Sequence, residues 1–234
     1  MNLKSAFWGR VPDSVKALYW RLRNLFEFGR ADRVAVFSRI YNRNLWGDSE
    51  SVSGGGSTLS VTAVFRAEFE SWLREANIGV ILDIPCGDFN WMRHVEFPDG
   101  LKYIGVDVVP ELIARVSSQH SGTHVSFRCG DILTDDLPGS DAVLCKDLFI
   151  HFPNVAIRQA ILNVKKSGAQ FLLATTFPST RKNVDIRFGS ARRTNLEFLL
   201  GPPVKLLRDF GGGVNDRYVG VWDLRLIPVS LIAR

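Results

Sequence analysis

From Gly79 onward the chain alternates short apolar runs with stretches of helical spacing. The runs are Val80–Ile84, Tyr103–Val106, Val125–Arg128, Ala142–Cys145 and Phe171–Thr176; helical spacing falls near Asn90–Val95, Pro110–Ser118 and Asn154–Val164. Strands alternating with helices predict a parallel sheet covered on both faces. The end of the chain differs. Val204–Phe210 and Val219–Ile227 are two strand-like runs joined through Gly211, Gly212 and Gly213, which suits an antiparallel pair at a sheet edge. Ahead of the alternating region the pattern is helical. Val15, Leu18, Tyr19, Leu22, Leu25 and Phe26 recur at helix spacing among Arg21, Arg23 and Arg30, and Arg33–Trp46 has the same character. Ser51 to Thr58 is Gly/Ser-rich, either a linker or a loop whose bare amides approach a ligand. Thr58–Ala76 reads as a helix with Val61, Val64, Phe65, Phe69, Trp72 and Leu73 inward. The pattern divides the chain into a helical extension with its Gly/Ser loop, residues 1–58, and an α/β domain, residues 59–234.

Composition narrows the class. With 234 residues, 46% hydrophobic and 23% charged, the chain is long enough to bury a full core without staples. Its three cysteines, 86, 129 and 145, form no CxxC and have no zinc-ligand spacing, so a reducing cytoplasm and no structural metal are expected. No apolar run reaches the ~18–20 residues of a membrane span, and MNLKSAFWGR lacks a secretory pattern. A net charge of +5 admits a phosphate-bearing or acidic partner, or peripheral membrane contact through the basic amphipathic N-terminus, and does not by itself indicate nucleic acid.

In an open α/β sheet, ligands bind beyond the carboxyl ends of the strands. The first run ends in Asp83-Ile84-Pro85-Cys86-Gly87-Asp88-Phe89, a carboxylate followed by a glycine turn. The second ends in Asp107, about 20 residues on, where an acid can accept from ribose hydroxyls. The third is followed by Cys129-Gly130-Asp131-Ile132, and the fourth by Lys146-Asp147 and then His151. Singly, each also reads as an ordinary turn, a solvated aspartate, a helix cap or a structural histidine.

Four acidic strand ends in this order resemble the class I S-adenosylmethionine-dependent methyltransferases over about residues 79–227. The resemblance implies an α/β, Rossmann-like sheet, mostly parallel with an antiparallel C-terminal edge pair, plus the helical N-terminal extension. It implies S-adenosyl-L-methionine as cofactor and S-adenosyl-L-homocysteine as product. Carried onto this sequence, the cofactor-binding set is Asp83, Pro85, Cys86, Gly87, Asp107, Val108, Asp131, Ile132 and Lys146. Asp107 would hold the ribose, and Asp131 with Ile132 the adenine. Pro85 and Phe89 stand where the usual first motif has its outer glycines. Both WGDSESVSGGGST and LDIPCGDFNWM are similar to strings of a bacterial subgroup whose genes often lie among those for surface polysaccharides and natural products.

Such an enzyme aligns donor and acceptor and, for a hydroxyl, accepts a proton. His151 is the first choice of base and Asp147 the second. Lys146-Asp147-Leu148-Phe149 has no Pro-Pro, unlike the usual adenine-amine and amide methyltransferases, and Cys145 lies inside a strand, against a cytosine C5 enzyme. The acceptor is expected to meet Ser57 and Trp91, and the polar insertion after the fifth run through Asn183, Asp185, Arg192 and Asn195. Their mixed donors and acceptors suit a hydroxyl on a sugar, sugar nucleotide or other small metabolite. The rivals are an RNA or protein methyltransferase, for which no binding module is recognisable, and a catalytically inactive partner of the same fold; a nicotinamide-dependent dehydrogenase would want a fuller Gly-x-Gly-x-x-Gly. Whether the chain forms a homo-oligomer is open at this stage.

Overall fold

The computed structural model describes residues 33–209 and 216–232. The expected helix over Val15–Phe28 and the glycine connection at 211–213 lie outside them. Within them the chain forms helix α1 (Arg33–Asn42), α2 (Leu59–Glu75), β1 (Val80–Asp83), β2 (Lys102–Asp107), α3 (Pro110–His120), β3 (Val125–Cys129) and β4 (Ala142–Cys145). There follow α4 (Asn154–Lys166), β5 (Phe171–Thr176), α5 (Glu197–Leu200), β6 (Lys205–Arg208), β7 (Tyr218–Asp223) and α6 (Val229–Ile232).

The strands make one seven-stranded sheet in the order β3-β2-β1-β4-β5-β7-β6. β1 pairs in parallel with β2 (Asp83 opposite Gly105) and with β4 (Asp83 opposite Leu144). β7 runs antiparallel to β5, with Leu172 opposite Trp222, and β6 antiparallel to β7. Strand order therefore reverses between β1 and β4, and a crevice opens beyond their carboxyl ends.

Period-two alternation sends side chains to two cores. Leu82, Val143, Cys145 and Leu172 meet Ile157, Ala160, Ile161 and Val164 of α4 on one face. Ile81, Leu144, Leu173 and Val219 meet Phe65, Phe69, Trp72 and Leu73 of α2, and Leu112, Ile113 and Val116 of α3, on the other. Phe65, Phe69 and Leu73 are wholly buried, each contributing about 1.5–3 kcal/mol of transfer free energy.

Element ends depart from the apolar pattern for local reasons. α1 stops at Asn42 because Asn44 turns left-handed (φ 44°), and the Leu45 amide bonds back to the Ile40 carbonyl. On α2, Val64 faces solvent and Thr62 is buried instead; its hydroxyl is satisfied by the Thr58 carbonyl at 2.8 Å. The helix expected over Asn90–Val95 is a single 3-10 turn, Met92–His94. β7 ends at Asp223, whose carboxylate accepts from the Arg225 amide at 3.0 Å and turns the chain out of the sheet, so the apolar run to Ile227 is not all strand.

Candidate active site

The crevice at the reversal of strand order encloses about 1120 Å³, open solvent at its mouth included. Its base is the turn after β1. Asp83 is buried there and accepts from the Tyr103 hydroxyl at 2.7 Å. Burial pushes its carboxyl up to about 7, against the pull of that hydrogen bond. The Ile84–Pro85 peptide is cis. Gly87 has φ +56°, and a Cβ there would lie 2.4 Å from Ser53 Oγ, so the position demands glycine on two counts. The Gly87 amide donates to Asp107 Oδ2 at 3.3 Å and the Val109 amide to Oδ1 at 3.1 Å. Burial nevertheless lifts the Asp107 carboxyl to about 6, against these backbone donors. Cys86 is buried beside them, with its thiol pushed well up by desolvation.

The Gly/Ser stretch is a docked loop. Asp88 accepts from Ser51 Oγ at 2.9 and 3.0 Å, from the Val52 amide at 3.0 Å and from Ser53 Oγ at 3.2 Å. Its own amide donates to Ser53 Oγ at 3.0 Å. Asn90 Nδ2 reaches Glu50 Oε1 at 2.8 Å and the Ser57 carbonyl at 3.0 Å. The two sequence strings, far apart in the chain, thus form one wall.

Asp131 Oδ1 accepts from the Leu133 amide at 2.9 Å, and Oδ2 takes Arg33 Nε at 2.9 Å and Nη2 at 2.7 Å. Ile132 is buried against the crevice. Arg33, the first described residue, also lies over the Phe188 ring. α1 closes that side of the crevice through Phe37 and Tyr41.

Beyond β4 lies a set of two cations and two anions. Lys146 Nζ is 2.8 Å from Asp147 Oδ2, 3.3 Å from Asp209 Oδ2 and 3.3 Å from the Gly56 carbonyl. Arg217 Nη2 is 2.5 Å from Asp147 Oδ2, and its Nε 2.7 Å from Asp209 Oδ2. Asp147 sits at φ 57°, a left-handed conformation that is costly for a non-glycine residue. Thr175 holds it there, accepting from its amide at 2.8 Å and donating to Oδ1 at 3.0 Å. Burial would raise the Asp147 carboxyl; Arg217 and Lys146 outweigh that and hold it well below the usual carboxylate range. An acid held ionised this firmly is a poor proton acceptor.

His151 differs. Its Nδ1 lies 2.8 Å from the Ser190 carbonyl, and a carbonyl only accepts, so Nδ1 carries the proton. The neutral ring then presents Nε2 as its acceptor. Burial pushes its pKa below the ordinary value, with the Ser190 bond opposing, so the ring is neutral at pH 7. Its face stacks on Trp46, centroids 4.9 Å apart and planes 24° from parallel.

The crevice brings together every residue expected to hold the cofactor: Asp83, Pro85, Cys86, Gly87, Asp107, Val108, Asp131, Ile132 and Lys146. It is also lined by Asp147, His151, Ser57 and Trp91. It does not bring in Asn183, Asp185, Arg192 or Asn195, contrary to the expectation that these meet the acceptor. Asn183 and Asn195 bond each other twice, Asn183 Nδ2 to the Asn195 carbonyl and the Asn195 amide to Asn183 Oδ1, both at 2.8 Å. Asp185 accepts from the first amide of α4 at 2.7 Å, and Arg192 donates to the Phe152 carbonyl at 3.0 Å and Asn154 Oδ1 at 2.9 Å. These polar groups brace the insertion itself. Phe89 is likewise core, packed on Tyr103 and Phe127. Sequence reasoning missed Arg33, Phe37, Tyr41, Asp209 and Arg217. The one available signal was Lys146, a cation directly after a buried strand, which requires buried anions.

Residues 81–168 match the model of a methyltransferase domain. The fold resembles that of human N-acetylserotonin methyltransferase in complex with S-adenosylmethionine: 14% identity, 93% of this chain and 68% of that one, TM-score 0.59. Magnesium protoporphyrin IX methyltransferase from Synechocystis PCC 6803, with S-adenosylmethionine bound, matches at 14% identity, 82% of this chain and 98% of that one, TM-score 0.55. PigF with S-adenosylhomocysteine matches at 15% identity, 87% and 72%, TM-score 0.54. No curated protein matches the sequence. Residues 81–168 are thus similar to a methyltransferase domain, and the chain shares the Rossmann-like, mostly parallel fold of these structures. Among the described residues no helix is long and apolar enough to cross a membrane.

Proposed function

We propose that the protein is an S-adenosylmethionine-dependent methyltransferase that methylates a hydroxyl of a small molecule. The observation that carries the reading is the convergence, at the reversal of strand order, of buried Asp107, the Gly87 turn and Asp131 around one crevice. The residues present fit the cofactor. Gly87 gives the turn its left-handed bend into the crevice, Asp107 offers a carboxylate to ribose hydroxyls, and Asp131 Oδ1 accepts one bond from Leu133 and has a lone pair left for an amine. Ile132 gives an adenine ring an apolar face.

The cofactor supplies a methyl group already activated on a sulfonium. The chain's work is alignment and removal of a proton. Lys146 and Asp147, locked by Arg217 and Thr175, form a rigid charged floor. His151 is the base, because its Nε2 is an acceptor and its ring is held by Ser190 and Trp46. The related structures carry different substrates in their names and do not select the acceptor.

Calorimetry with S-adenosylhomocysteine tests the reading. Micromolar binding by the wild type, weakened tenfold or more by Asp107→Ala, is expected from loss of the ribose contacts. Equal affinity of the two proteins refutes the assignment of Asp107.

A further inference from the structure

The acceptor's chemistry can be read from what surrounds His151, given the methyltransferase reading. A sugar presents many hydroxyls, and each one buried without a partner is costly. The polar residues of the insertion, Asn183, Asp185, Arg192 and Asn195, are bonded to one another's segment and to the start of α4, and are absent from the lining. What faces the crevice near His151 is aromatic: Trp46, half-buried and stacked on the imidazole, and Phe152 and Phe37 in mutual contact at 6.2 Å.

We propose that the acceptor is a phenol, a hydroxyl borne on an aromatic ring, which stacks on the Trp46 indole beside His151 and gives its proton to Nε2. A hydrogen bond to Nε2 lies in the plane of the imidazole. A flat ring carrying that hydroxyl in the same plane continues the His151 stack over the indole, and an offset stack of this kind is the favoured one. Proton affinity points the same way. Burial makes His151 a weaker base than a free imidazole. A phenol, near 10, is within its reach, whereas an aliphatic hydroxyl is close to water at about 15.7. In the step, the phenolic oxygen forms a bond to the methyl carbon, the carbon–sulfur bond breaks with its electron pair going to sulfur, and the proton passes to His151. Charge balances: sulfonium and neutral imidazole become thioether and imidazolium.

The test uses the full chain with isotopically labelled S-adenosylmethionine. One arm holds mono- and dihydroxylated benzenes and bicyclic phenols; the other holds sugar nucleotides. Binding of S-adenosylhomocysteine is measured first on every protein. The expected result is an O-methylated phenol, with the Trp46→Ala KM for it raised roughly tenfold, Trp46→Phe recovering most of the loss, and cofactor affinity unchanged in both variants. Methylation of sugar nucleotides and not phenols overturns the assignment, as does an unchanged KM in Trp46→Ala. Cofactor binding with no phenol methylated overturns the acceptor class and leaves the methyltransferase reading standing. Failure to bind the cofactor at all overturns both.

Discussion

Asp209→Asn removes one charge from the buried set beneath the Gly/Ser loop and leaves its shape. Asp209 is wholly buried, 2.7 Å from Arg217 Nε and 3.3 Å from Lys146 Nζ. At an effective dielectric constant of about 20, those contacts amount to roughly 6 and 5 kcal/mol of attraction. The carboxylate's own desolvation, several kcal/mol, is relieved by the substitution and offsets part of that. Lys146 and Arg217 then share Asp147 alone, a buried net charge of +1. Breaking a buried pair in this way costs about 3–5 kcal/mol, a large share of the roughly 5–15 kcal/mol that holds a domain together. Because Arg217 and Lys146 hold the Asp147 carboxyl below its ordinary value, their contribution is complete above the unfolded value near 3.9 and is lost only as pH falls through the folded one. Urea unfolding at pH 7.5 therefore reads the full effect, a midpoint lowered by about 1–2 M at an m-value near 2–3 kcal/mol/M. Adding Arg217→Gln restores neutrality and should recover part of the loss. A midpoint shift under about 0.3 M with unchanged m would refute the reasoning, because the four charges would then contribute no net stability.

Gly87→Ala forces an L side chain into a left-handed backbone and pushes Ser53 off Asp88; a loss of about 2–4 kcal/mol in urea and at least tenfold weaker S-adenosylhomocysteine binding are expected. The Asp107 carboxyl, lifted by burial to about 6, sets a pH dependence of opposite sign in two measurements. Ribose hydroxyls favour the ionised acid, so calorimetric affinity should rise up to tenfold per unit below pH 6 and level off above it. Without cofactor the folded state holds the extra proton between about 4 and 6, so the Asp107 share of stability, read as the difference from Asp107→Asn, should fall by roughly 3 kcal/mol as pH rises through that window, beside the separate loss from Asp83. A flat profile in both measurements would put Asp107 in water.

The sheet was legible because buried strands leave apolar runs bounded by turns. The strand-end acids were legible because the topology places them on one rim. The insertion misled because its residue types suit a sugar equally well whether they face a ligand or each other; only the Asn183–Asn195 pairing decides. The Gly/Ser stretch was ambiguous for a similar reason: linkers and docked loops share a composition, and the Asp88 carboxylate is what distinguishes them. Lys146 signals a buried anion without naming it, and Arg217 and Asp209 could not be picked out because their partners lie far away in sequence, 70 residues separating Arg217 from Asp147. The stacking of Trp46 on His151 depends on where Asn44 ends α1, which apolar spacing alone does not give.

The walls of the crevice also fix when it can come into being. Arg33 meets Asp131 across 98 residues, and Gly56 meets Lys146 across 90. During synthesis the N-terminal wall leaves the ribosome long before the sheet it must lie on. Val36 and Ile40, buried in the finished protein, pack with Phe188 of the insertion, which follows late in the chain. Contacts so distant form late, after the local and neighbouring-strand pairings have closed the loops between them. The binding crevice is thus a product of complete folding, and a chain halted before Arg217 has its Rossmann-like strands β1 to β5 but lacks one of the two cations that lock Asp147.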